Sequence, residues 1–210
     1  MYPLLPLFMR TYLSKESILL IAASLLIIAA CYYHIIPDPQ LYFVTVWMYF
    51  FVVPLGILLL LGEKLHSYGF IWKKWPFRKD KTILSLVALI AVMYGASALP
   101  QFESYYTAFT PTKNIWFHSI VVLGSFYFAE EFFFRGFLLF GLKERFGEFA
   151  VVLQAVPFAL FHIGKPPLEA VISIFAGMVF GHIAYKSESF IPTFLIHWLM
   201  GLAIVVFISL

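Results

Sequence analysis

Charge is scarce in this chain. Lys, Arg, Asp and Glu make up 12% of its 210 residues, about half the roughly 25% of an ordinary soluble domain. Hydrophobic residues make up 62% and aromatic residues 20%. This balance excludes an ordinary soluble domain and predicts an all-α polytopic membrane bundle, one compact unit without a second domain. Cysteine is scarcer still. Cys31 stands alone, which rules out an internal disulfide and a cysteine-built metal site. No basic cluster carries the interleaved polar residues of a nucleic-acid surface, so nucleic acid is not an expected partner. An HExxH pair is absent, and no serine or cysteine sits in a nucleophile-elbow sequence. Asparagine occurs once, at Asn114.

Long apolar runs fill the space that charge leaves. Residues 1–17 are mixed, with Pro3, Pro6, Arg10, Lys15 and Glu16, and read as a cytoplasmic or interfacial segment. Ile18 to Ile36 is the first run. Ile28-Ala29-Ala30-Cys31 matches a lipoprotein-type cleavage box, but Tyr32 to Ile36 continues the run past the cysteine, so a retained helix is expected. Further spans are expected at Leu41 to Leu61, kinked at Pro54, at Thr82 to Leu99, from Lys113 or Asn114 to about Lys143, at Phe149 to Ile163, at Leu168 to Tyr185 and at Phe190 to Ser209. Pro100 to Thr112 reads as a polar loop. Gly62 to Lys81 is the most polar connection, with Lys64, Lys73, Lys74, Arg78, Lys79 and Lys81 among Phe70, Trp72, Trp75 and Phe77. Basic and aromatic residues together suit a segment lying on an anionic leaflet. The division is thus 1–17, then the N-terminal spans 18–113, then a core 114–210. With the N-terminus in the cytoplasm, eleven lysines and arginines fall inside and two outside. The positive-inside rule therefore favours about seven spans, N-in and C-out, in a bacterial or archaeal cell membrane.

One stretch breaks the apolar pattern, Ala129-Glu130-Glu131-Phe132-Phe133-Phe134-Arg135-Gly136. Intramembrane charge costs several kcal/mol unless it is paired or faces a wet cavity, so such residues default to function. Glu131 and Arg135 are spaced i, i+4 and can pair on a helix. Glu130 is rotated by about 100° from Glu131 and is left for chemistry. A purely structural ion pair would account for Glu131 and Arg135 but not for Glu130. Among the six histidines, depth selects two. On a rise of ~1.5 Å per residue, Glu130 and His162 each lie ~20 Å from the inner ends of their helices, and His197 lies ~14 Å from its own. His34, His66, His118 and His182 read as interfacial or capping residues, with His182 the one that could be promoted. A carboxylate and two histidines in an apolar bundle point to hydrolysis. Glu130 would activate a water, one histidine would share it, and the other would donate to the developing oxyanion. The same three residues are also a zinc-type ligand set, but they come from distant helices without a short-spaced pair. Metal-free water activation is the preferred reading and zinc the alternative.

These residues resemble the CAAX-protease and bacteriocin-processing (CPBP/ABI) family. Glu130-Glu131-x-x-x-Arg135 is similar to its EExxxR motif, and Phe158-Ala159-Leu160-Phe161-His162 to its FxxxH motif. Phe175-Ala176-Gly177 through Gly181 resembles its glycine-containing block, and His197 sits where its HxxxN motif begins. The likeness covers roughly residues 115 to 205. It implies a glutamate-dependent intramembrane endopeptidase, with Glu130 as the base, His162 its partner, His197 an oxyanion donor, and Glu131 and Arg135 as positioning residues. The implied substrate is a membrane protein or peptide, cleaved near the cytoplasmic half of the bilayer. Gly201 stands where the family's asparagine is expected, and loss of one oxyanion donor typically costs about 10²–10³ in rate. His197, a water or His182 would take its place. Two other classes stay open on the sequence. One is a non-catalytic scaffold or immunity-type protein, prompted by Gly201. The other is a small proton-coupled transporter, prompted by Pro54 and Pro192.

Overall fold

The computed structural model describes residues 14–74, 81–109 and 114–209. Most of the N-terminal interfacial segment, together with Trp75, Phe77, Arg78 and Lys79 of the basic aromatic loop, lies outside the described residues. Among the described residues the regular structure is helical apart from one isolated bridge, Ile163 to Lys165. That is the outcome expected where the solvent cannot satisfy backbone N–H and C=O groups and the chain must do so itself.

Helix α1 (Lys15–Tyr32) starts at Ser14, whose hydroxyl accepts from the Ser17 N–H. Helix α2 (Tyr42–Leu60) contains a π-helical turn at Met48–Val52 ahead of Pro54. Helix α3 (Lys81–Ser97) is followed by α4 (Pro100–Phe109), and 89° separates the two arms Leu86–Ser97 and Pro100–Ala108. Sequence reading makes 100–112 a loop. The helix forms instead because Pro100 suits a first turn, Phe102 is fully buried, and Tyr106 donates to Glu169 at 2.7 Å.

Helix α5 (115–146) is the centre of the molecule, with π-helical stretches at His118–Val122 and Phe132–Phe140. At Gly147, where φ is +56°, the chain turns back into α6 (Ala150–Phe161), so that Phe158 and Phe161 meet Phe134. Helices α7 (Pro167–Ser187) and α8 (Ile191–Ser209) complete the bundle. Among the described residues five helical segments are long and apolar enough to cross a membrane, or six if the bent pair counts as one span. Two of the seven expected spans, from Lys113 or Asn114 to about Lys143 and from Phe149 to Ile163, fall together in one of these, Ile115–Phe161; its second part, α6, has 12 residues and at ~1.5 Å each reaches ~18 Å.

The core is aromatic. Phe50, Phe132, Phe133, Phe134, Phe137 and Phe190 are all fully buried, with Phe50 and Phe133 stacked at 4.2 Å. Apolar side chains also face outward, among them Leu25, Leu84, Trp116 and Leu199, each at least 60% exposed. A chain with apolar residues on both sides of its helices is built for lipid rather than water. Charge gathers at one end of the bundle. There Lys15 pairs with Glu63 (3.4 Å) and Glu144 (3.2 Å), Arg145 with Glu16 (3.3 Å), Lys186 with Glu148 (2.7 Å), and Lys74 with Glu188.

Candidate active site

Glu130 and Glu131 end the α-helical part of α5, just before the π-helical stretch that holds Arg135. Wide turns of this kind are rare and recur at functional sites. Both carboxylates and the guanidinium are fully buried, yet the two neighbours have opposite surroundings. Glu131 Oε1 accepts from Arg135 Nη1 at 3.0 Å and bonds His197 Nδ1 at 2.7 Å. Arg135 also lies against three rings, closest to Phe158 at 4.1 Å, with Phe180 at 5.4 Å and Phe134 at 5.9 Å. The arginine is thus held on one side by a carboxylate and on the others by aromatic faces, which attract a cation.

Glu130 has no such partner. Neither of its oxygens makes a hydrogen bond among the described residues. Its electrostatic neighbours are His197, Lys165, Glu131 and Arg135. His162 closes α6. Its Nδ1–H donates to the Phe158 carbonyl at 2.9 Å, which leaves Nε2 as an acceptor in the neutral ring. The Phe158 ring lies between the two histidines, 4.4 Å from His162 and 6.1 Å from His197. The five singled-out residues therefore sort into a bonded chain, Arg135–Glu131–His197, and two unjoined groups, Glu130 and His162. His197 is bonded to Glu131, not to Glu130. His182 is exposed and lies at the charged end, beside Glu148. Among the described residues no three His, Cys, Asp or Glu side chains gather as a metal site.

A cavity of about 450 Å³ adjoins this cluster, bordered by Cys31, His34, Tyr42, Phe126, Tyr127, Phe161, Lys165 and Gly201. Its border residues lie at the end of the bundle opposite the charged cluster. Several of its walls escaped sequence reasoning. His118, read there as a helix-end residue, is 7% exposed and lines the cavity. Lys165 pairs with Glu169 at 3.1 Å, and Glu169 also accepts from Tyr106. Burial alone would lower the Lys165 ammonium, but Glu169 and Glu130 outweigh it and hold the group above its ordinary range. Tyr127, one turn before Glu130 and so on the same face of α5, is 7% exposed and forms part of the wall. Its ring lies 4.4 Å from that of His197. The i, i+3 spacing to Glu130 was the available signal for Tyr127; Lys165 carried none beyond its charge.

Residues 111–203 match the family model described as type II CAAX prenyl endopeptidase Rce1-like. That range contains Glu130, Glu131, Arg135, His162 and His197 as well as Tyr127, Lys165 and Gly201. No curated protein matches the chain, and no solved structure does.

Proposed function

We propose, for a chain that belongs over residues 111–203 to the CPBP/CAAX-protease family, that it is an integral membrane endopeptidase in which Glu130 activates the attacking water. The observation that supports this most is the contrast between the two adjacent glutamates. Glu131 is engaged through Oε1 by both Arg135 and His197, while neither Glu130 oxygen has a bonding partner among the described residues. A fully buried carboxylate without a structural bond is costly to keep, and general-base chemistry gives it a use.

In the reaction, a water oxygen adds to the scissile carbonyl carbon while a water proton passes to Glu130. The carbonyl π pair moves to its oxygen, which becomes the oxyanion. Collapse of this adduct breaks the C–N bond, and Glu130 returns its proton to the departing amine. His162, with Nε2 free to accept, shares the water. Glu131, itself held by Arg135, accepts from His197 Nδ1–H, and the imidazolium form of that ring carries in addition the Nε2–H that donates to the oxyanion. The substrate is a membrane-associated protein or peptide. In a multi-pass arrangement with the charged end in the cytoplasm, the cavity receives it from the opposite face of a bacterial or archaeal membrane.

A comparison of peptide termini in membranes from cells carrying the wild type or Glu130→Gln tests this. Termini present only with the wild type are the expected result. Identical profiles, with both proteins folded and equally abundant, would sink the enzymatic reading. They would favour a peptide-binding scaffold or immunity-type protein, a reading prompted by the glycine at 201.

A further inference from the structure

Gly201 faces the ring of Tyr127. A Cβ added at Gly201 would stand 2.5 Å from the Tyr127 hydroxyl oxygen and 2.7 Å from its Cζ, closer than any side chain can approach. The phenol therefore occupies the volume into which a side chain at 201 would project. Tyr127 is packed on the His197 ring, lines the cavity and sits one turn from Glu130. Its hydroxyl has no hydrogen-bond partner among the described residues and is not sealed in by protein atoms, because the residue borders the cavity. A phenol normally finds a partner, and at the cavity wall this one can donate to an acceptor that occupies the cavity.

We propose that Tyr127 is a further catalytic residue, its O–H donating to the oxyanion that forms on the scissile carbonyl, and that Gly201 is the position that makes room for it. The inference rests on the proteolytic reading of the same site. It assigns the second oxyanion donor, beside His197, to helix α5 rather than to α8. The Tyr127 proton stays on the phenol throughout; the hydrogen bond strengthens as negative charge gathers on the carbonyl oxygen and relaxes when the C–N bond breaks. A donor of this type acts on the transition state more than on the bound substrate. Its removal thus lowers kcat and leaves KM nearly unchanged.

The test uses the full-length protein in lipid nanodiscs and a synthetic peptide spanning a terminus found to depend on Glu130. Tyr127→Phe keeps the ring and removes only the hydroxyl. The expected result is a kcat lower by about 10²–10³ with KM within about threefold. A second variant guards against a packing effect. Tyr127→Ala with Gly201→Asn places an amide where the phenol stood, and it should cleave faster than Tyr127→Ala alone. If Glu130→Gln is inactive while Tyr127→Phe cleaves like the wild type, the proteolytic reading stands and the assignment of Tyr127 is overturned. If no terminus depends on Glu130, both fall.

Discussion

Removing Arg135 should be among the most damaging single changes in the bundle, and removing its partner as well should repair most of the harm. Arg135 and Glu131 are both fully buried and joined at 3.0 Å. In Arg135→Met the fully buried Glu131 carboxylate keeps only His197. Stranding one member of a buried pair costs about 3–5 kcal/mol, and the cation–π contact with Phe158 at 4.1 Å disappears with it. For a chain of this size each kcal/mol is worth roughly 2–4 °C in Tm, so the single variant should melt about 6–20 °C below the wild type. Glu131→Leu with Arg135→Met removes both charges and replaces them by apolar groups, which is often neutral in a buried site. That protein should recover stability to within about 1–2 kcal/mol of the wild type yet remain a poor catalyst, since His197 has lost its anchor. Tryptophan-monitored thermal unfolding in nanodiscs reads the stabilities, and the excess of the double variant over the single is the coupling. The reasoning is refuted if Arg135→Met melts within 2 °C of the wild type, or if the double variant is as unstable as the single.

The lone cysteine reports which side of the membrane the cavity faces. Cys31 is exposed and lies on the cavity border, so a membrane-impermeant maleimide should label it in intact cells and slow Glu130-dependent cleavage; labelling only after lysis would place the cavity on the cytoplasmic side. A weaker, pH-dependent effect is expected at the charged end, where the Lys74 hydrogen bond holds the Glu188 carboxyl below its ordinary value. A lowered carboxyl stabilises above its unfolded value and loses that contribution as pH falls through the folded one. The Tm difference between wild type and Lys74→Ala should therefore be present at neutral pH, amount to less than ~1 kcal/mol, shrink in high salt and vanish in acid below the carboxylate range.

Most of the helices were legible in the sequence because long apolar runs announce them. The Glu131–Arg135 pair was legible too, being a local i, i+4 relation. Azimuth was not. Depth puts Glu130 and His197 at one level but does not say which glutamate His197 meets, and the structure bonds it to Glu131. The π-helical stretch Phe132–Phe140 adds to this, since a five-residue ring shifts every later side chain around the axis relative to α-helical spacing. The turn at Gly147 was visible as a break, but the shortness of α6 lies in where His162 and Gly164 end it. Helix α4 was missed because Pro100, Ser104, Thr107, Thr110, Pro111 and Thr112 resemble a loop, whereas tertiary contacts of Phe102 and Tyr106 hold it.

Gly201 reads differently alone and beside its neighbour on α5. Taken alone, glycine in place of asparagine is a missing donor and suggests a protein that has stopped cutting. Taken with Tyr127, it is half of a steric pair. The phenol and any side chain at 201 claim the same volume, so a chain carrying Tyr127 on α5 requires glycine at 201 on α8, and an asparagine there would have to expel the ring from its place against His197. On the assignment of Tyr127 proposed above, the glycine on one helix and the bulk on the other form a single exchange, in which the donor is a phenol on α5 in place of an amide on α8. Such an exchange leaves Glu130, His162 and the Arg135–Glu131–His197 chain where they are, because none of these groups bonds to either position.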